Sequence, residues 1–201
     1  MNETVRITVP CADVEWAVHA AKNSIGKWSQ REGYYTNRLE SHFKGKLGEL
    51  AVEKYLLETG HAIDAHYRFP DREKLCDIVV KVRKYTQVCR LEVKTWSENY
   101  WAELGRCIAV EQYPDLKKKS DLIVWCVIDA VSVADFLTHP ADVTVALAGW
   151  SRMNEIALAP VKETGTGRMR KVKNYQFAAS DLHPIRELLK ELTPGASPKT
   201  K

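Results

Sequence analysis

The sequence predicts an α/β fold: a mixed central sheet flanked by helices. Three observations carry this. Arg38–Thr59 has apolar residues at helical spacing. Leu75–Arg83 and Thr86–Trp96 read as two strands joined by a tight connection at Lys84–Tyr85. Asp121–Ile128, DLIVWCVI, is a continuous apolar run, as expected of a strand covered on both faces.

The remaining elements follow in order. Thr4–Val9 alternates apolar and polar residues as a short strand does, and Pro10 closes it. Ala12–Asn23 places Val14, Ala17, Val18 and Ala21 on one helical face, with Asp13 near its start. Ser24–Asn37 is polar, aromatic and glycine-punctuated, and reads as a loop. Gly60 stops the helix that begins at Arg38. Tyr113–Lys119 is a short helix with Pro114 in its first turn, and Lys117–Lys119 reads as a solvated helix end that complements the dipole. Val143–Leu147 is a strand ending near Gly149–Trp150. Lys162–Phe177 carries a basic, glycine-rich turn between two further strands. Ser180–Leu192 is a last helix, capped by Ser180 or Asp181, with Pro184 in its first turn. Trp125 and Trp150 are expected in the core. No repeat and no linker divides the chain. It reads as one domain over 1–193, the strand and helix of 1–36 extending the core, with a polar, disordered tail at 194–201.

Composition excludes several classes. The 201 residues are 45% hydrophobic and 28% charged, with a net charge of +4, an ordinary balance whose mild basicity suits an anionic partner. The five cysteines, Cys11, Cys76, Cys89, Cys107 and Cys126, form no CxxC pair, so neither a disulfide framework nor a thiolate zinc site is expected. No signal peptide and no membrane span are expected, and a cytoplasmic setting follows. No phosphate-binding GxxxxGK[ST] loop is present, so no nucleotide cofactor is expected, and neither GxSxG nor HExxH occurs.

The chemistry lies in the hairpin CDIVVKVRKYTQVCRLEVKTW. A turn centred on Lys84–Tyr85 puts Asp77 opposite Glu92, with Cβ atoms about 5 Å apart. Glu92 and Lys94 share a strand face, while Leu91 and Val93 point to the other. Taken alone, a Glu-x-Lys triplet on a strand is an ordinary charged hairpin face. Two opposed carboxylates repel, however, and a divalent cation removes the conflict. Mg²⁺ takes a few carboxylate oxygens and completes its shell with water and substrate phosphate. A neighbouring lysine can orient or deprotonate a water, or stabilise charge on the phosphate. The set suits hydrolysis of a phosphodiester.

With its acid at a strand start and an acidic-x-Lys triplet on the next strand, the sequence resembles the PD-(D/E)xK nuclease superfamily. Asp77 in CDIVV matches the first acid and Glu92–Val93–Lys94 in RLEVKTW the triplet; Cys76 stands where many members have proline. Glu49, in GKLGELAVEKYLLETG, matches the acid that many members carry on a preceding helix. The likeness covers Lys44–Trp96 and extends more loosely to Asp121–Ile128 and Gly149–Trp150. It implies a restriction-endonuclease-like fold and a Mg²⁺-dependent DNA endonuclease, with Mn²⁺ as a substitute metal, in restriction, defence or phage DNA processing. Asp77, Glu92, Glu49 and the Val93 carbonyl would hold the metal, and Lys94 would position the attacking water. The products would be a 5′-phosphate and a 3′-hydroxyl. A structure-selective resolvase or repair nuclease, or a silent nucleic-acid binder, are the alternatives within the same resemblance. A homodimer would match a duplex cut on both strands.

Further residues are candidates for the DNA surface. Lys44 and Lys46 beside the helix acid, and Arg168, Arg170 and Lys171 on the glycine-rich turn, are placed to neutralise phosphates. Gly45 and Gly48 are expected to let the helix approach the sheet. Glu53 is an understudy for Glu49, though a solvent-facing role suits it better. His42 lies two helical turns before Glu49. Tyr34, Tyr35, Trp96, Tyr100, Trp101 and Gln112 lie where bases could stack or bond.

Overall fold

The computed structural model describes residues 4–28, 38–69, 72, 75–81, 88–103, 105–129, 131–165 and 171–192. Strand β1 (Val5–Val9) leads into helices α1 (Cys11–Trp28) and α2 (Arg38–Glu58). Then come β2 (Ala62–Ala65), β3 (Ile78–Lys81) and β4 (Val88–Ser97), followed by α3 (Glu98–Glu103), β5 (Cys107–Ala109) and α4 (Tyr113–Lys119). The chain continues through β6 (Leu122–Ile128), α5 (Val133–Thr138), β7 (Val143–Arg152), α6 (Met153–Ile156), β8 (Val161–Thr164), β9 (Val172–Gln176) and α7 (Ile185–Glu191). The α/β class expected from the sequence is what the chain forms.

Six strands make one mixed sheet in the order β1-β7-β6-β4-β3-β2, and β5-β9-β8 form a smaller antiparallel sheet. Among the described strands of the larger sheet, β4 and β6 are the pair that runs parallel. A parallel pair needs a long crossover, and here that crossover holds α3, β5 and α4. The larger sheet has a core on each face. On one, Leu91, Val93, Val124 and Cys126 pack with Phe43, Leu47 and Leu56 of α2 and with Val14 and Val18 of α1. On the other, Ile123 and Trp125 pack with Tyr113 and Leu116 of α4, Met153, Ile156 and Ile108 of β5. Buried apolar residues on both faces explain the unbroken run of β6. Trp125 and Trp150 are buried, as expected.

The β3–β4 register pairs Ile78 with Leu91 and Val80 with Cys89, which is the register expected from the sequence; the turn at 84–85 and the tail at 194–201 lie outside the described residues. Several boundaries differ, among them that of β3, which starts at Ile78 and not at Leu75. Helix α1 continues to Trp28 instead of ending at Asn23, with Ser24 Oγ donating to the Ala20 carbonyl. Strand β7 runs on to Arg152 because its second half pairs with β6. The last helix starts at Ile185, not Ser180: His183 exchanges both backbone hydrogen bonds with Trp150 and so cannot be helical. Neither Ser180 nor Asp181 caps that helix.

Arg90 and Asp121 clamp the start of β6 to β4. The guanidinium donates to both Asp121 oxygens, at 3.1 and 2.8 Å, and to the Lys118 carbonyl at 2.9 Å. Burial pushes the Asp121 carboxyl up, but the hydrogen bonds from Arg90 outweigh it and hold the group below its ordinary value. A depressed acid contributes stability above its unfolded pKa and loses it as pH falls through the folded one. Asp121→Asn should therefore cost about 1 kcal/mol at pH 7, the scale of a partly exposed pair. In thermal melts the gap to wild type should close as pH falls below the ordinary aspartate range.

Candidate active site

Strand β4 is paired over a different part of its length on each edge. Val88–Leu91 pair with β3 and Leu91–Ser97 pair with β6. Beyond Leu91 no described strand lies on the β3 side. Asp77, just before β3, begins this notch. Its N–H donates to the Leu91 carbonyl at 3.0 Å, and its Oδ2 accepts from the Val93 N–H at 2.7 Å. The N–H and C=O of a strand residue point to the same edge, so the Val93 carbonyl faces the notch too.

Glu92 and Lys94 turn to the opposite sheet face from Val93. Glu92 is 4% exposed. Its Oε1 accepts from Lys94 Nζ at 2.8 Å and its Oε2 pairs with Lys119 Nζ at 2.8 Å. Glu49 comes from α2, where Lys46 Nζ donates to its Oε2 at 2.7 Å. The approach of α2 depends on Gly48: a Cβ there would meet Thr95 Oγ1 at 1.9 Å. Gly45 has open space where its Cβ would be, so the expected close approach belongs to Gly48 alone.

These groups line one cleft of about 400 Å³. Ser41, His42, Lys46 and Glu49 of α2 form one wall, and Asp77 with Glu92–Trp96 forms the floor. The far wall comes from the small sheet, with Cys107–Ala109, Thr164, Val172 and Asn174.

Charge in the cleft is unevenly held. Burial raises the Glu49 carboxyl to about 8; Lys46 opposes the rise, while Asp77 and Glu92 add to it. Burial, then the Glu92 charge, raise Asp77 to about 6 against Lys94 and the Val93 N–H. Glu92 moves down: burial pushes it up, but Lys94 and Lys119 together outweigh burial. One carboxylate is thus well compensated by ammoniums and two are strained by burial and by one another.

No family model matches the chain, and no curated protein matches it at a significant level.

Of the residues singled out from the sequence, Asp77, Glu92, Val93, Lys94, Glu49, Lys46, His42, Trp96 and Gln112 line the cleft. Lys44 does not. Lys171 is exposed on the small sheet and pairs with Glu163 at 3.4 Å. Arg168, Arg170, Tyr34 and Tyr35 lie outside the described residues. Glu53 is neither an understudy nor solvent-facing: it accepts from the Tyr67 hydroxyl and from Arg68. Trp101 packs beneath the Arg106 guanidinium. Lys119 is a correction, since it turns inward to Glu92 instead of forming a solvated helix end. Nothing local signals this, because the contact spans the crossover between β4 and α4.

Among the described residues, no three His, Cys, Asp or Glu side chains converge on one metal-sized point; lysine ammoniums cap Glu49 and Glu92, and the Val93 N–H bonds Asp77. A thiol nucleophile has no better standing. Cys76 lies 3.9 Å from His66 Nδ1, but it is buried and burial pushes its thiol up to about 11, the opposite of an activated thiolate.

Proposed function

We propose that the chain is a Mg²⁺-dependent DNA endonuclease with a restriction-endonuclease-like fold. The observation that carries this reading is the notch itself: Asp77 bonded to the Val93 N–H, with Glu92, Lys94 and Glu49 lining the same cleft. The donor chemistry fits the metal. Three carboxylates and a backbone carbonyl are hard oxygen donors of the kind Mg²⁺ prefers, and burial, with the neighbouring carboxylates adding to it, raises the Glu49 and Asp77 carboxyls, a cost that a bound cation would relieve. Asp77, Glu92, Glu49 and the Val93 carbonyl would hold the ion once the ammoniums yield their places. A bound Mg²⁺ would supply Lewis-acid charge to the phosphate. Lys94 would leave Glu92 to orient the attacking water, Lys46 and His42 would face the substrate backbone across the cleft, and the far wall would fix the strand against the floor. Cleavage would leave a 5′-phosphate and a 3′-hydroxyl, with Mn²⁺ able to replace Mg²⁺. Restriction, defence, phage DNA processing and the resolution or repair of branched DNA are the settings such chemistry serves.

The capping of every cleft carboxylate oxygen pair by lysine or backbone favours one second reading, a silent nucleic-acid binder. Incubation with supercoiled, linear and branched DNA in Mg²⁺ or EDTA separates the two. Nicking or cutting in Mg²⁺ is expected, none in EDTA, and a loss of at least a hundredfold in Asp77→Asn. DNA binding without cleavage in Mg²⁺ or Mn²⁺ would establish the binder instead.

A further inference from the structure

Glu92 is bonded by two ammoniums that reach it from different sides. Lys94 lines the cleft; Lys119 does not, and arrives from the end of α4 beside Ser120, whose hydroxyl lies 3.5 Å from Oε2. The two lysines at that helix end differ sharply. The Lys118 side chain is 77% exposed, whereas that of Lys119 is 26% exposed. The Arg90–Lys118 carbonyl bond holds the helix end in place, so the Lys119 contact is built into the fold.

We propose that Lys119 is the standing counter-charge of Glu92, a positioning residue that anchors this carboxylate from outside the cleft and leaves Lys94 as the ammonium an incoming cation or phosphate displaces. The arrangement has two physical consequences. Without metal, Lys119 offsets the cost of keeping a charged Glu92 almost fully buried beside Asp77 and Glu49. With metal, the same ammonium opposes the cation through like-charge repulsion, so it trades cation affinity for a stable empty site. The inference rests on the metal-dependent reading only for its second consequence.

The test compares Lys119→Met, Lys119→Arg and Lys118→Met by thermal melting in EDTA and by calorimetric titration with Ca²⁺, an oxygen-seeking divalent probe. Lys119→Met should melt several degrees lower in EDTA and bind Ca²⁺ at least fivefold more tightly. Lys119→Arg should match wild type in both, and so should Lys118→Met. Unchanged melting overturns the inference, as does a lower melting point that Lys119→Arg does not reverse. Lower melting with unchanged or weaker Ca²⁺ binding overturns it as well, because that is the pattern of packing alone. If wild type takes up no Ca²⁺, the metal-dependent reading falls, while the EDTA melts of the Met and Arg variants still decide for or against Lys119.

Discussion

On the proposed nuclease function, Lys94→Ala is expected to lower Mg²⁺-dependent DNA cleavage by about 10²–10⁴-fold, the range for loss of a positioned proton-transfer group, with little loss of fold. Lys94 donates to Glu92 at 2.8 Å in the empty site, yet its removal leaves Glu92 paired with Lys119. No buried carboxylate is therefore stranded, and the melting point should stay within about 2 °C of wild type. Affinity for uncleaved DNA in Ca²⁺ should change less than about fivefold, since a single phosphate contact is a small part of a polyelectrolyte interaction. Plasmid nicking rates, melts and binding isotherms on one preparation check the three together. Cleavage within tenfold of wild type would remove Lys94 from the chemistry.

Gly48→Ala is expected to destabilise the protein by about 1–3 kcal/mol, the cost of overpacking a filled interior. The added Cβ would lie 1.9 Å from Thr95 Oγ1, 3.1 Å from its Cβ and 3.3 Å from its Cγ2, so rotating Thr95 only exchanges one clash for another. Thr95 Oγ1 is buried and, among the described residues, is the side-chain polar atom without a hydrogen-bond partner. Removing it should cost little. Thr95→Ala alone should therefore be nearly neutral, and Gly48→Ala with Thr95→Ala should recover most of the lost stability, a coupling that a double-mutant cycle measures. Because Glu49 follows Gly48 and β4 carries both Glu92 and Lys94, the single variant should also lose cleavage beyond its loss of folded protein. Gly45→Ala, with open space around it, should be neutral or slightly stabilising. Equal effects at the two glycines would mean that the contact with Thr95 is unimportant.

The parts of this molecule legible in its sequence are those written in periodicity. Hairpin register followed from centring the turn on Lys84–Tyr85, and alternation agrees with it, because slipping Leu91 and Val93 by one residue would turn the core face outward. The buried run of β6 and the Pro114 helix start were equally plain. Short elements were not: β2 is AIDA, β5 is CIA and α6 is MNEI, too brief for any period to show. They form because neighbours are already in place, as when β5 pairs with β9. The candidate site divides in the same way. Asp77, Glu92 and Lys94 are close through strand register, whereas Lys119 reaches Glu92 from outside the cleft, and the far wall takes its place, through tertiary packing.

The crossover from β4 to β6 does more than join two parallel strands. Chain connectivity demands only that it return the backbone to a parallel neighbour, yet it delivers the β5 strand of the far wall and the α4 lysine behind Glu92. The acids stand on α2 and on the β3–β4 hairpin, outside that excursion. One crossover thus supplies both a wall of the cleft and the ammonium behind Glu92, while the carboxylates stand on a separate scaffold.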